Sequence, residues 1–320
     1  MIEAGKLAMM AFAAVAFTAL EGTAEASGCG VPLSSGEAVV AVLHAGRQRP
    51  VHVYVPATYD RNRPAPLLFN LHGSGSTGKG QFDLSGLKEA ADRFGVVIAS
   101  PDAGIAAGPG FLWNVPGVPT VAGTVPGPEA PDDAAYLVAV ADALGGKACI
   151  DLRRVYATGL SGGGRMASWL ACAAPDRFAA IAPVVGLRAG RARVEENMQL
   201  DPSTCRPKRA VGVLAFAGAK DRTNPISGGE GLRWGYPMAQ ALQRWAALNG
   251  CRSAAPTTWL DDRRYLQRYR DCRVGGAVEA VIDENGGHNW KVADNVMMMR
   301  FLLAHQLSRT PRSGGSHEAR

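Results

Sequence analysis

A serine stands at the centre of a pattern that could carry out nucleophilic chemistry. Ser161 is the middle residue of a Gly-x-Ser-x-Gly motif, which follows a β-branched and aromatic run at 155–158 and precedes an Ala-rich helical run at 166–174. Strand, sharp turn and helix in that order are typical of a nucleophile elbow, which exposes a serine hydroxyl on a strained turn. Gly159 and Gly163 remove Cβ atoms that would collide where strand and helix cross. We therefore predict that Ser161 is a nucleophile.

His288 is the predicted general base for this serine. It lies in the segment Gly-Gly-His-Asn-Trp at 286–290, after a predicted strand that ends at Ile282. A neutral imidazole can accept the serine proton, and hydrolases of this kind carry that histidine on a loop near the end of the chain. The other histidines lie in the predicted opening strands, in a glycine-rich loop or near the C-terminus: His44, His52, His72, His305 and His317.

Two aspartates compete for the role of orienting this histidine. Asp221 follows the apolar run at 211–217 through Gly-Ala-Lys, which gives the chain order Ser, Asp, His that is expected of an α/β-hydrolase. Asp283 is the alternative, since it lies only five residues before His288. We favour Asp221, and we interpret Asp176 as a residue that caps a turn.

A glycine-rich loop at 72–80 follows a predicted strand and allows two interpretations. It matches the Gly-x-Gly-x-x-Gly pattern of dinucleotide-binding folds, and Asp102 stands where such folds have their ribose-binding acid. Two strands precede the one that should come first, however, and Gly80 replaces the Ser or Thr with which a phosphate loop holds magnesium. We therefore predict a hydrolase oxyanion loop, with the backbone N–H groups of Ser74 and Gly162 as donors. No cofactor and no metal is expected.

The N-terminal residues predict export of the protein. Residues 1–26 combine Lys6, a 14-residue apolar run at 7–20 and an Ala-Glu-Ala cleavage pattern, as in a secretory signal peptide. We expect a catalytic domain at 27–307, a polar tail at 308–320 and a secreted or periplasmic monomer with no membrane contact after cleavage. The net charge of +6 arises from scattered Lys and Arg residues, a distribution that predicts no nucleic-acid partner.

Six cysteines in an exported chain predict disulfides, and none of them has the Cys-x-x-Cys spacing of a zinc site. The expected pairs are Cys149–Cys172, Cys251–Cys272 and Cys29–Cys205. The first pair should meet at the bottom edge of the sheet, because one cysteine precedes the strand that leads to the nucleophile and the other ends the helix that descends from it. The second pair brackets a polar excursion that a crosslink would tie down. The third pair follows by elimination.

Predicted strands and helices alternate after an opening antiparallel pair. Strands are expected at 38–43, 51–55, 67–71, 96–100, 155–158, 179–185, 211–217 and 278–282. Helices are expected at 82–94, 133–144, 166–174, 238–249 and 292–306. This alternation predicts an α/β domain with a mainly parallel sheet. The Gly/Pro-rich loop at 101–131 is long enough that we expect it to be functional.

Three segments carry a resemblance to a known family. Residues 159–167, 172–183 and 286–290 are similar to the extracellular polyhydroxybutyrate depolymerase and feruloyl esterase group of α/β-hydrolases, and the resemblance covers most of residues 51–303. It implies an α/β-hydrolase fold, with a mainly parallel central sheet and helices on both faces. The sequence departs from the family at Lys291, where a proline is usual, and at Ala217, where a histidine is frequent.

The same resemblance implies which residues lie near an acyl pocket. Trp113 and Asn114 in the long loop, and Trp234 and Tyr236 before the late helix, match positions that the family places there. We expect Trp290 on the same rim above the nucleophile. Aromatic walls with a few amides suit a planar or short-chain acyl group, through apolar burial and stacking.

These residues together predict a serine carboxylic ester hydrolase. Ser161 would attack an ester carbonyl, His288 would take its proton, and water would release the acyl group from the enzyme. The expected substrates are short-chain hydroxyalkanoate esters of the polyhydroxybutyrate type or aromatic-acid esters, small or oligomeric. The alternatives are a feruloyl or acetylxylan esterase acting on plant polysaccharide, an acyltransferase with the same triad, and a non-catalytic binding protein on a hydrolase scaffold.

Overall fold

A computed structural model of the chain describes residues 28–196 and 198–308. The predicted signal peptide at 1–26 and all but the first residue of the predicted tail lie outside this part of the chain. One sheet of eleven strands runs through the described residues. No helix in those ranges has both the length and the apolar character that crossing a membrane requires.

The strands and helices follow one another as an opening hairpin and then an alternating series. The strands are β1 (Gly36–His44), β2 (Arg47–Val55), β3 (Ala65–Leu71), β4 (Val97–Pro101), β5 (Ile105–Ala107), β6 (Gly110–Leu112), β7 (Ile150–Leu160), β8 (Ala180–Val184), β9 (Gly212–Gly218), β10 (Ser253–Ala254), β11 (Thr258–Trp259), β12 (Arg264–Arg270) and β13 (Val278–Asp283). The helices are α1 (Gly78–Ser85), α2 (Leu87–Phe94), α3 (Asp133–Lys147), α4 (Gly162–Ala173), α5 (Gly231–Trp234), α6 (Met238–Leu248) and α7 (Asn295–Leu303).

The sheet is parallel at its centre and antiparallel at its edges. Its order is β1-β2-β4-β3-β7-β8-β9-β13-β12-β10, with β11 also paired to β12, while β5 and β6 form a separate hairpin. The strands from β4 to β13 in that order run parallel to one another. β1 and β2 pair antiparallel, as predicted. The predicted mainly parallel sheet is therefore confirmed.

Buried apolar residues form one core layer on each face of this sheet. In β3, Leu67 and Phe69 contribute to one layer and Leu68 to the other, because successive side chains of a strand point to opposite faces. Helices α3, α4 and α6 cover the first layer, and α1, α2 and α7 cover the second. The helices thus lie on both faces, and the loops at the carboxyl ends of the parallel strands are left to form a site.

Two local predictions differ from the structure. The single helix expected at 82–94 is two helices, because Gly86 takes a left-handed conformation (φ 60°) between them. The stretch after Cys251, expected to be an irregular polar excursion, contains β10, β11 and β12 at the sheet edge. β12 has only one buried residue and carries three arginines, a composition that protects an edge from further pairing and hides the strand from an apolar pattern search.

The disulfide pairing corrects two of the three expected pairs. The structure contains Cys29–Cys149, Cys172–Cys205 and Cys251–Cys272. Only the last of these was predicted; Cys149–Cys172 and Cys29–Cys205 are wrong. The reason is length: β7 has 11 residues and spans about 36 Å at about 3.3 Å per residue, whereas the 12 residues of α4 descend only about 18 Å at about 1.5 Å per residue. Cys149 therefore starts well below the level that Cys172 reaches.

Digestion of the unreduced protein tests this correction. We expect three crosslinked peptide pairs, corresponding to the three disulfides of the structure, and their separation into single peptides after reduction. Mass spectrometry identifies each pair from its summed mass and fragments. A peptide that joins Cys149 to Cys172 would contradict the structure and restore the sequence-based scheme.

Candidate active site

Ser161 lies on a sharp turn between β7 and α4. Its backbone has φ 55° and ψ −111°, a combination that a non-glycine residue adopts only under strain of about 1–3 kcal/mol. The turn is held in place because the Ser161 amide donates a hydrogen bond to the Val184 carbonyl oxygen, at 2.9 Å. Ser161 is buried, with only 9% of its surface exposed, and it lines a cavity.

Glycines allow α4 to approach the sheet as closely as this turn requires. A Cβ atom on Gly159 would lie 2.6 Å from the carbonyl carbon of Gly163 and 2.6 Å from the carbonyl oxygen of Leu71. A Cβ atom on Gly163 would overlap that same oxygen. Both obstacles are backbone atoms and cannot rotate away. The crossing of strand and helix that the sequence predicted is therefore present, and for the predicted reason.

The two predicted oxyanion donors lie side by side next to this turn. A Cβ atom on Gly162 would lie 3.3 Å from the Ser74 amide nitrogen and 2.5 Å from the Ser74 hydroxyl oxygen. Neither the Ser74 nor the Gly162 amide donates a hydrogen bond to another group of the described residues. Gly162 also begins α4, and the first N–H groups of a helix lack intrahelical partners. Two free donors beside a serine form a site for a developing negative charge.

His72 holds the loop that carries Ser74. Its Nε2 atom accepts a hydrogen bond from the Ala103 amide at 3.0 Å, so the proton is on Nδ1, which donates to the Gly73 carbonyl oxygen at 2.8 Å. Burial lowers the pKa of His72, which favours this neutral form. Trp113 adds a third contact, because its indole N–H donates to the His72 carbonyl oxygen at 2.8 Å. His72 is thus a fixed structural group of the loop.

The dinucleotide-binding interpretation of this loop fails on geometry as well. Asp102, which stood at the position of a ribose-binding acid, accepts a hydrogen bond from the Gly78 amide at 2.7 Å and so caps the first turn of α1. Gly78 is required because a Cβ atom there would overlap the carbonyl oxygen of Ser100 in β4. The glycine spacing therefore reflects helix packing against the sheet.

Asp221 and His288 form a hydrogen bond on two neighbouring loops. His288 Nδ1 lies 2.7 Å from Asp221 Oδ2. The other carboxylate oxygen, Oδ1, accepts the backbone N–H groups of Thr223 and Asn224, both at 2.8 Å. Asp221 is buried and accepts hydrogen bonds from three donors. Its negative charge can therefore stabilise the imidazole when the imidazole gains a proton. The imidazole keeps its Nε2 atom available.

The rival acid, Asp283, has a different set of partners. Its Oδ1 atom accepts the Asn285 amide at 3.0 Å and its Oδ2 atom lies 3.6 Å from the Arg263 guanidinium. Asp283 is buried in the turn that leads to His288. Within the part of the chain that the structure describes, it makes no hydrogen bond to the imidazole. Asp221 is therefore the acid that the geometry favours.

Ser161 and His288 line one cavity of about 850 Å³, together with Ser74. The described residues form no hydrogen bond between the serine hydroxyl and the imidazole, a contact that often tightens only when substrate binds. Apolar side chains make up much of the wall: Leu84, Val121, Leu160, Leu232 and Trp234. Residues 119–121 and Gly123 of the long loop also line it, so that loop does border the site, as predicted.

Only one of the five predicted pocket residues lines this cavity. Trp234 does so, whereas Trp113, Asn114, Tyr236 and Trp290 are absent from its lining among the residues that the structure describes. Trp113 is buried beneath the oxyanion loop. Asn114 connects the long loop to the start of α3, because its backbone N–H donates to the Asp133 carboxylate at 2.9 Å.

The last two of these side chains belong to the protein interior. The Tyr236 hydroxyl accepts from the Ala189 amide and donates to the Gly190 carbonyl oxygen, at 2.9 and 2.8 Å. Trp290 packs into the core layer beneath α7 and donates from its indole N–H to Asn295 at 3.1 Å. The expectation of a broad aromatic wall is therefore wrong, because buried tryptophan and tyrosine need a hydrogen-bond partner and these find one inside the fold.

Sequence reasoning missed an arginine in the cavity. Arg233 lines the wall and donates from Nη2 to the Ser74 hydroxyl at 2.8 Å. Two more arginines, Arg165 and Arg188, are buried behind Trp234. Burial lowers the pKa of Arg165 to about 9 and that of Arg188 to about 10, so both remain cationic at neutral pH. The one charged residue of α4, Arg165, lies two positions after the serine motif and was the signal that could have indicated part of this cluster.

Comparison with known proteins places this geometry in a wider group. The sequence profile of the prolyl oligopeptidase family matches residues 131–194, about a fifth of the chain. Acetyl xylan esterase from Aspergillus awamori has a similar structure, with a TM-score of 0.58 and 14% identity over 83% of this chain and 98% of that one. The chain has the α/β-hydrolase fold.

Two curated relatives confirm the resemblance that the sequence segments indicated. Feruloyl esterase B of Piromyces equi is 28% identical over 247 residues, which are 75% of this chain and 42% of the relative. Poly(3-hydroxyalkanoate) depolymerase C of Paucimonas lemoignei is 28% identical over 185 residues, which are 57% and 38% of the two chains. The chain thus spans less than half the length of either relative.

Replacement of Trp113 tests its structural role in the protein. Trp113→Phe keeps an aromatic ring against His72 but leaves the buried His72 carbonyl oxygen without the indole donor. We expect the free energy of unfolding, measured in urea, to fall by about 1–3 kcal/mol. Trp259→Phe is the control, since Trp259 is 54% exposed and should change stability by less than about 0.5 kcal/mol. Equal effects of the two substitutions would contradict the role given to Trp113.

Proposed function

We propose that the protein is a serine esterase that hydrolyses carboxylic esters through a covalent acyl-enzyme. Ser161 attacks the ester carbonyl, His288 accepts its proton as a general base, and Asp221 orients the imidazole and stabilises its protonated form. The observation that carries this proposal is the 2.7 Å hydrogen bond between Asp221 and His288, whose imidazole shares a cavity wall with the strained Ser161.

The free amides beside the serine supply the second part of the mechanism. The N–H groups of Ser74 and Gly162 would donate to the oxygen of the tetrahedral intermediate as it gains negative charge. Donors that are fixed before the reaction need no rearrangement at the transition state, and loss of one such donor typically lowers turnover by about 10²–10³. The His72 contacts described above support this assignment, because they hold the Ser74 loop rigid.

The cavity supports esters with a short or planar acyl group. Its walls are apolar at Leu84, Val121, Leu160 and Leu232, with one indole from Trp234, so acyl groups would bind mainly by apolar burial. We infer short-chain hydroxyalkanoate esters or aromatic-acid esters as substrates. The names of the two relatives, a depolymerase and a feruloyl esterase, support the same two classes.

The disulfides support export of the enzyme. Three disulfides join all six cysteines of the chain, and such bonds persist in oxidising compartments. We infer a secreted or periplasmic enzyme that acts on esters outside the cytoplasm.

Substitution of the three proposed catalytic residues tests the mechanism. Ser161→Ala, His288→Ala and Asp221→Asn should each lower kcat for p-nitrophenyl butyrate by about 10⁴ or more, and double variants should lower it little further because the residues act as a unit. Asp283→Asn is the matched control, since it keeps an oxygen that can accept the Asn285 amide, and it should change kcat by less than about threefold. Full activity of Asp221→Asn together with loss of activity in Asp283→Asn would show that Asp283, and not Asp221, orients His288.

Product analysis separates hydrolysis from acyl transfer and ranks the substrates. The enzyme would be incubated with hydroxybutyrate oligomers, hydroxycinnamate esters and acetylated sugars, each with and without an alcohol acceptor. Free acid as the main product in both conditions supports a hydrolase. A product in which the acceptor carries the acyl group, with little free acid, would identify an acyltransferase.

A further inference from the structure

Three arginine side chains surround one indole ring beside the proposed nucleophile. The guanidinium carbons of Arg188, Arg165 and Arg233 lie 4.7, 5.1 and 5.5 Å from the centroid of the Trp234 ring. Arg165 and Arg188 are almost completely buried, at 4% and 3% exposure. Guanidinium groups on an aromatic face gain some stabilisation, but three positive charges around one ring also repel one another.

The positive charge of this cluster has no carboxylate partner of its own. None of the three arginines lies within 4 Å of an Asp or Glu oxygen among the described residues. Asp221 is close enough to Arg188 to favour its charged form, but that carboxylate is hydrogen-bonded to His288. All three guanidinium nitrogens of Arg165 are buried without a hydrogen-bond partner in the same part of the chain. Buried charges in proteins are normally paired, so this cluster is electrostatically complementary to an anion.

Arg233 brings that charge to the substrate. Among the described residues it is the one Lys, Arg, Asp or Glu in the lining of the cavity, and it shares that lining with Ser161 and His288. One N–H of its Nη2 atom donates to Ser74, which leaves the second Nη2 N–H and those of Nη1 and Nε for a ligand. The field of Arg165 and Arg188 from behind Trp234 adds to its attraction for negative charge in a partly apolar cavity.

We propose that this cavity selects esters that carry a free carboxylate, which Arg233 binds next to the scissile ester. The inference rests on the proposed esterase function and narrows its substrate class. A carboxylate is favoured over a phosphate because one planar guanidinium edge matches two carboxylate oxygens, whereas a phosphate needs donors for three oxygens and the remaining wall is largely apolar. A short hydroxyacid oligomer with a free acid end has this chemistry.

A matched pair of substrates tests the proposal. The dimer of 3-hydroxybutyrate would be compared with the same dimer capped as an N-methylamide, and release of 3-hydroxybutyrate would be measured by chromatography. We expect kcat/KM of the wild type to be about tenfold or more higher for the free acid, since hydrogen bonds between charged groups are stronger than those to a neutral amide. Arg233→Gln should bring the ratio close to one, mainly through a higher KM for the acid. Arg233→Lys should restore part of the preference.

Two controls keep the outcomes distinct. Arg252→Gln removes an exposed arginine outside the cavity and should leave the ratio unchanged. Direct binding of the free-acid dimer to Ser161→Ala, measured by calorimetry, should weaken about tenfold when Arg233→Gln is added, a readout that is independent of turnover.

Each other outcome overturns one specific part of the account. A wild-type ratio near one, with both dimers cleaved, would reject carboxylate selection and leave the esterase intact. Equal loss of activity on both dimers in Arg233→Gln would show that Arg233 only positions Ser74. That result would also reject carboxylate selection. Failure of the wild type to cleave either dimer or p-nitrophenyl butyrate would instead reject the proposed function.

Discussion

The close backbone contact between α4 and the ends of β3 and β7 is the constraint on which the rest of the site depends. The helix can start at Gly162 only because neither Gly159 nor Gly163 carries a side chain against the carbonyl oxygen of Leu71. That approach forces Ser161 into its strained turn and brings the first free amide of the helix next to the Ser74 loop. Packing, strain and the oxyanion donors thus have one common origin.

The surrounding loops are fixed by backbone contacts of the same kind. The loop with Asp221 and the loop with His288 approach so closely that a Cβ atom on Gly218 would overlap the carbonyl oxygen of Gly286, which also accepts the Lys220 amide at 2.9 Å. The Asp221–His288 hydrogen bond therefore rests on rigid neighbours. Positive charge is the less expected feature, because Arg233 enters a cavity whose remaining walls are mostly neutral.

What could be predicted from the sequence follows from how local each signal is. The elbow around Ser161 and the alternation of buried strands depend on neighbouring residues, so spacing alone indicated them. The disulfide of Cys149 and the positions of Trp113 and Tyr236 depend on how far separate elements extend and which way they face. A tryptophan in a long loop gives no sign of whether its indole N–H meets solvent, ligand or a buried carbonyl oxygen. The arginine cluster was missed because its members are far apart in sequence. The fold brings their guanidinium groups together around the Trp234 ring.

Covalent labelling of the folded enzyme tests the central claim, that this geometry activates Ser161 as a nucleophile. An alkyl fluorophosphonate would be added and the labelled peptide located by mass spectrometry after trypsin digestion. We expect one adduct, on Ser161 within the peptide 155–165. It should form at least about 10³ times faster than in His288→Ala. An adduct on another serine such as Ser74, or equal labelling rates with and without His288, would contradict it.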